Sequence, residues 1–144
     1  VIGIKVNVRG LERLADRLGQ ERLARLIDNF FAMSAEELQR QVMAHAPMRT
    51  GELIKSIGIV KLGEAHYAVG SPLEYALYQE VGTRPHMIYP RVAEVLAFEV
   101  GGQTVFARYV RHPGFPGRRY FAKAVGEYLR VAGEIFRRAM GAIR

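Results

Sequence analysis

Apolar positions recur along this chain at two periods. Leu23, Ile27, Phe30, Phe31, Ser34, Leu38, Val42 and His45 fall three or four apart between Gln20 and Ala46, with Arg22, Arg25, Asp28, Glu36 and Arg40 off that line. This spacing predicts an amphipathic helix. Pro47 ends it, because the residue before a proline is driven out of helical geometry. Ser34-Ala35-Glu36-Glu37 matches a capping box, so two helices meeting near Met33 is a competing expectation. A second stripe, Phe121, Val125, Tyr128, Ala132, Ile135, Ala139 and Ile143, predicts a helix over Arg118 to Ile143. Lys123, Glu127, Arg130, Glu134 and Arg138 run down its other side with alternating sign. Such pairs contribute roughly a few tenths of a kcal/mol each, so the apolar face decides stability.

The period-two segments are shorter. Ile2 to Val8 alternates as a strand, and Leu11, Leu14, Ala15 and Leu18 follow at helical spacing with Gly19 placed as a C-cap. Ile57, Ile59 and Lys61 alternate with Gly58, Val60 and Leu62; Gly63-Glu64-Ala65 turns, and His66 to Gly70 returns. Pro72 to Thr83 reads as a short helix closed by Gly82, and Arg84 to Pro90 as an extended stretch between prolines. Val95–Val100 and Gln103–Val110 form the clearest local signal, two strands around Gly101-Gly102. The order predicts one α+β domain over residues 1–144, an antiparallel β-sheet packed against a long N-terminal helix and a C-terminal helix.

Composition narrows the function classes. No run approaches the roughly 18 apolar residues of a membrane span, and no export signal is evident, so no membrane partner is expected. The absence of cysteine excludes disulfides, thiolate zinc sites and cysteine nucleophiles, and suits a reducing cytoplasm. His45, His66, His86 and His112 are spread too far apart for a local metal motif, and no serine lies in a nucleophile elbow. No phosphate-binding glycine loop precedes a helix. Glu74 and Glu80 straddle the short helix, where surface salt bridging is the expectation rather than paired-carboxylate catalysis. No enzyme activity, metal or cofactor is therefore expected. A hydrolase would require the distant histidines to converge in space.

Charge changes the picture. Residues 1–100 carry twelve bases and twelve acids, whereas residues 101–144 carry nine bases against Glu127 and Glu134, so the net +7 lies wholly in the last third. Its centre is Arg108-Tyr-Val-Arg-His-Pro-Gly-Phe-Pro-Gly-Arg-Arg-Tyr-Phe121, which has no acid. Asymmetry of this kind points to a polyanion or an acidic protein surface, against the plainer reading of a solubilising face. Arginines beside Tyr109, Phe115 and Tyr120 suit non-specific contact with nucleic acid, but no recognition helix, zinc finger or RNA-binding sheet signature accompanies them. They equally suit a protein interface.

Three stretches then carry a resemblance: Ala44 to Ile57 (Ala-Pro, then Thr-Gly-x-Leu-x-x-Ser-Ile), Tyr75 to His86 (Tyr-Ala-x-x-x-Glu-x-Gly-Thr) and His112 to Val125 (His-Pro-Gly leading to an aromatic helix start). In this order, over about Val6 to the C-terminus, they resemble the tailed-bacteriophage minor tail-component family, also called neck or tail-completion proteins. The family commonly has Arg-Pro-Phe where this chain has Arg118-Arg119-Tyr120-Phe121. The resemblance implies a virion protein of the head-to-tail junction, assembled in the host cytoplasm. It implies a homo-oligomeric ring, six copies favoured and twelve the alternative. It further implies neighbours among head-closure, adaptor and tail-tube proteins, with DNA passing through the channel and no catalysis. The family-motif positions are Pro47, Thr50, Gly51, Tyr75, Glu80, Gly82, Thr83, His112, Pro113, Gly114 and Phe121, where fold maintenance stands beside partner contact. Arg108, Arg111, Arg118, Arg119, Phe115 and Tyr120 are the expected interface or DNA-lumen residues. In a ring of head-to-tail copies one patch need not balance itself, since its complement lies on the neighbour.

Overall fold

The structure, a computed structural model, describes Asp16 and residues 19–141. The strand expected over Ile2 to Val8 and the helix expected ahead of Gly19 lie outside these residues, as does Ile143. In chain order the elements are α1 (Gln20–His45), α2 (Glu52–Ser56), β1 (Gly58–Gly63), β2 (His66–Gly70), α3 (Glu74–Val81), β3 (Gly82–Thr83), β4 (His86–Ile88), β5 (Leu96–Val100), β6 (Gln103–Ala107), β7 (Val110–His112), β8 (Phe115–Pro116) and α4 (Tyr120–Gly141). The class is α+β, as patterning predicts. Among the described residues the antiparallel pairing divides into four two-stranded ladders, β1–β2, β3–β8, β4–β7 and β5–β6, instead of one sheet.

Helix α1 is continuous, so the two-helix alternative is wrong. Ser34 does not cap a new helix; it is buried together with Ala35, and tertiary packing overrides the local signal. The main packing of the molecule is α1 against α4. Phe30, Tyr128, Ile135 and Ala139 form one buried cluster, and Phe30 meets the ring of Phe136 edge-on at 5.4 Å. Val42, Ala46, Leu53, Ile57, Ala76, Tyr120 and Ala124 form the other. Three expected stripe positions are displaced: His45 is exposed, and Tyr120 and Ala124 face inward where Phe121 and Val125 were expected.

The β1–β2 hairpin lies across α1. Asp28, expected to face solvent, holds its turn: the carboxylate accepts from Lys61 Nζ at 2.7 Å, the Ala65 amide at 2.9 Å and the Tyr67 hydroxyl at 3.2 Å. The Lys61 hydrogen bond, with the Ala65 amide next, keeps this carboxyl below its ordinary range. Ala65 sits at φ 48, a left-handed turn position that the amide contact fixes.

The other three ladders belong to one long antiparallel ribbon. Thr83 pairs with Phe115 and His86 with His112, so the two root ladders share a register, and Arg84-Pro85 faces Pro113-Gly114 between them. A proline on each strand removes an amide donor there and interrupts the ladder. Beyond Ile88 the strands separate and rejoin at Leu96 and Ala107, and the ribbon closes at Gly101-Gly102. Both tip glycines have positive φ, 59° and 81°, as the expected two-residue hairpin demands.

Candidate assembly interface

The second and third sequence boxes meet at the root of the ribbon. Gly82, Gly114 and Gly117 stand where two backbone segments cross with no room for a side chain. A Cβ on Gly82 would strike the carbonyl oxygen of Phe115, and one on Gly114 that of Thr83. A Cβ on Gly117 would strike Glu80 O and Val81 C. Gly82 has φ 80 and ψ −176, an extended positive-φ conformation that is essentially glycine-only. It ends α3 as expected, although not in the left-handed helical geometry. Beside it, the Thr83 hydroxyl is buried without a partner among the described residues.

This crossing aims Glu80 at the start of α4. Its carboxylate accepts from the amides of Phe121 (2.8 Å) and Ala122 (3.2 Å), two of the donors a helix N-terminus leaves free. The amides of Arg118 and Arg119 donate to the carbonyls of Gln79 (2.8 Å) and Glu80 (3.1 Å). Glu80 is buried, so the expected surface salt bridge is replaced by a cap reaching across forty-one residues. Tyr120 is turned inward by the same junction. It is 1% exposed and donates its hydroxyl hydrogen to Ala76 O at 3.2 Å; burial, then the Glu80 charge, pushes its pKa up to about 12. Tyr120 is therefore a core residue and leaves the set of candidate contacts.

The four arginines remain in that set. Arg108, Arg111, Arg118 and Arg119 are exposed, and none pairs with a carboxylate among the described residues. They are not one cluster of side chains on one element. Arg111 lies in β7 opposite Met87, Arg108 lies between β6 and β7, and Arg118-Arg119 lead into α4, with Arg119 at φ 53. Arg118 lines a groove of about 600 Å³ with Arg49, Pro47, Thr50, Gly51 and Tyr75, so the first box meets the second there. Gly51 is left-handed at φ 76, as a tight corner requires, and it opens α2. Phe115 and Phe121 are half-buried.

His86 and His112, distant in sequence, stack across β4–β7 with ring centroids 5.0 Å apart. Gly114 N donates to His112 Nδ1 at 3.0 Å, and His86 Nδ1 lies 2.8 Å from Arg84 O. No third ligand joins them: among the described residues no group of three His, Asp or Glu side chains is arranged for a metal ion.

What sequence reasoning missed is the arm beyond these histidines. Leu96, Phe98 and Val100 share one face of β5–β6 with Val105 and Ala107, while Phe106 projects from the other. Phe98, Val100, Val105 and Phe106 are all exposed, and neither strand packs extensively against another element. The alternation was visible; that no other described element covers it was not.

A family model described as "Bacteriophage HK97-gp10, putative tail-component" matches residues 9–82, just over half of the chain. The chain belongs to this bacteriophage tail-component family. No match is found among curated proteins or among solved structures. The matched stretch holds the first box and the second as far as Gly82, the residue whose backbone the third box crosses. The tail-component family is a structural one, so the coarse role is that of a phage structural protein associated with the virion.

Proposed function

We propose that this tail component is a ring-forming subunit at the head-to-tail junction, completing the tail and joining it to head-closure or adaptor proteins on one side and tube proteins on the other. The observation that carries the reading is the arm that no other described element covers. A two-stranded ribbon is marginal alone in water, and one showing Phe98, Val100, Val105 and Phe106 to solvent gains its cover from another molecule. Arm and basic helix start are different surfaces, which suits a heterologous contact that closes into a ring. Arg108, Arg111, Arg118 and Arg119 add unbalanced charge for a neighbouring copy or ring. Six copies is the expected number, with twelve the alternative.

Native mass spectrometry of the purified chain tests this. A single closed stoichiometry that holds across a hundredfold dilution range is the expected result; a monomer at every concentration overturns it. A lumen-facing role is the second reading, favoured by exposed arginines without an ion-pair partner among the described residues, beside Tyr109 and the Tyr89 ring 6.3 Å from it. It predicts duplex DNA affinity that falls steeply with salt, and reversing Arg108 and Arg111 to Glu reduces that slope.

A further inference from the structure

A second apolar surface on the same chain matches the arm. The face of β1–β2 turned away from α1 presents Gly58, Val60, Ala68 and Gly70, with Gly58 directly opposite Gly70 and Val60 opposite Ala68. It forms the floor of a groove of about 540 Å³ whose walls include Leu77 and Phe121. Val60, Leu62 and Leu77 are each more than half exposed. The two glycines form the end pair of the ladder with ordinary strand geometry, and a Cβ on either meets nothing within 4 Å. Glycine in a strand weakens it, and such positions often mark the approach of another backbone. Here the space above them is filled by no described residue.

We propose that the apolar face of the β5–β6 arm of one subunit seats in this groove on the next subunit. The inference rests on the ring reading for the existence of a neighbour and goes beyond it in naming both halves of the contact. The fit is one of large on small: Phe98, Val100 and Val105 on the arm, glycine and alanine on the floor. Charge agrees with it. Glu64 and Glu74, at opposite ends of the groove ladder, are exposed without an ion-pair partner among the described residues, as are Arg91 and Arg108 at the root of the arm. Arm and groove are different surfaces, so the contact runs head to tail and leaves each subunit one arm to give and one groove to fill.

Two experiments separate this inference from the reading beneath it. The chain has no cysteine, so the double variant Val105→Cys, Ala68→Cys carries the only two thiols. Oxidation of the assembled variant is expected to give a ladder of covalent multimers whose top band counts the ring, while each single variant gives monomer bands. Gly70→Val fills the floor where the chain itself has room. Its melting temperature is expected to stay level or rise, while the concentration needed for assembly rises at least about tenfold. Rings that form in the double variant without covalent multimers, or that form unchanged in Gly70→Val, overturn the arm-in-groove contact and leave the ring intact. A wild-type chain that never assembles overturns the ring reading itself, and this contact with it.

Discussion

The two ends of one ribbon obey opposite rules. At its root, backbone lies against backbone at Gly82, Gly114 and Gly117, and a buried carboxylate joins α3 to α4. At its tip, the β5–β6 strands touch mainly each other and show apolar side chains to solvent. The second and third of the stretches that carry family resemblance meet at the root, where the chain crosses itself. The residues with the strongest physical need for a partner lie at the tip and look ordinary in sequence. A motif therefore marks where the chain is most constrained, which in this molecule is where it meets itself.

The sharpest way to break this contrast is to add one carbon at the root. Gly82→Ala places a Cβ into the Phe115 carbonyl and the Gly117 amide while holding a positive φ of 80°. Every obstructing atom is backbone, so relief requires moving a strand away from the helix it positions. A loss of at least about 4 kcal/mol is expected in denaturant unfolding, close to the whole stability of a modest domain. Gly101→Ala at the tip has positive φ but open space above it, and is expected to cost no more than about 1–2 kcal/mol.

Removing the cap comes next. Glu80→Ala leaves the part-buried amides of Phe121 and Ala122 without their acceptor, and about 2 kcal/mol is expected to go. Glu80→Gln retains one acceptor oxygen but no charge at the positive end of α4, and about half that loss is expected. Chemical denaturation of both variants orders them. Equal losses would show that the charge contributes nothing.

These junction residues also define where sequence reading stopped. The helical stripes, the short helix ending at Gly82 and the Gly101-Gly102 hairpin are local patterns, and local periodicity reported them. Glu80 acting on Phe121 depends on two segments forty-one residues apart arriving side by side, which no spacing rule encodes. The same contact turns α4 so that Tyr120 faces inward in place of Phe121, an error of one position that periodicity alone permits. Ser34-Ala35-Glu36-Glu37 was a true local signal for a helix start, overruled because both Ser34 and Ala35 are needed inside. The exposure of the arm was hidden for a different reason: alternation shows that a strand has an apolar face, and says nothing of whether its own chain covers it. The arginine excess was read from composition, and the structure adds that the four are exposed and have no carboxylate partner among the described residues.

Tyr120→Phe probes the root more gently. It removes the hydroxyl bonded to Ala76 O, and about 1 kcal/mol is expected at neutral pH. The sign of its pH dependence is fixed by the raised folded pKa of about 12, against about 10 for an exposed tyrosine. Stability from keeping this phenol neutral is complete below pH about 10 and lost as pH climbs toward 12. Unfolding free energies between those limits are expected to fall more steeply for the parent chain than for the variant.

The smallest effect on folding belongs to the tip, and it is the one that decides the contrast. Replacing Leu96–Ala107 by a short Gly/Ser linker removes strands whose contacts are mainly with each other. Neither hydrophobic cluster includes any of these residues, and no side-chain hydrogen bond or ion pair among the described residues reaches them. The shortened chain is expected to unfold within about 0.5 kcal/mol of the parent when both are compared as monomers. Exposed apolar area falls at the same time, so the truncated monomer is expected to be the more soluble. Assembly measured by light scattering is expected to vanish. A truncation that unfolds the rest of the chain would mean that the arm is part of its core, and root and tip would no longer be separate in kind.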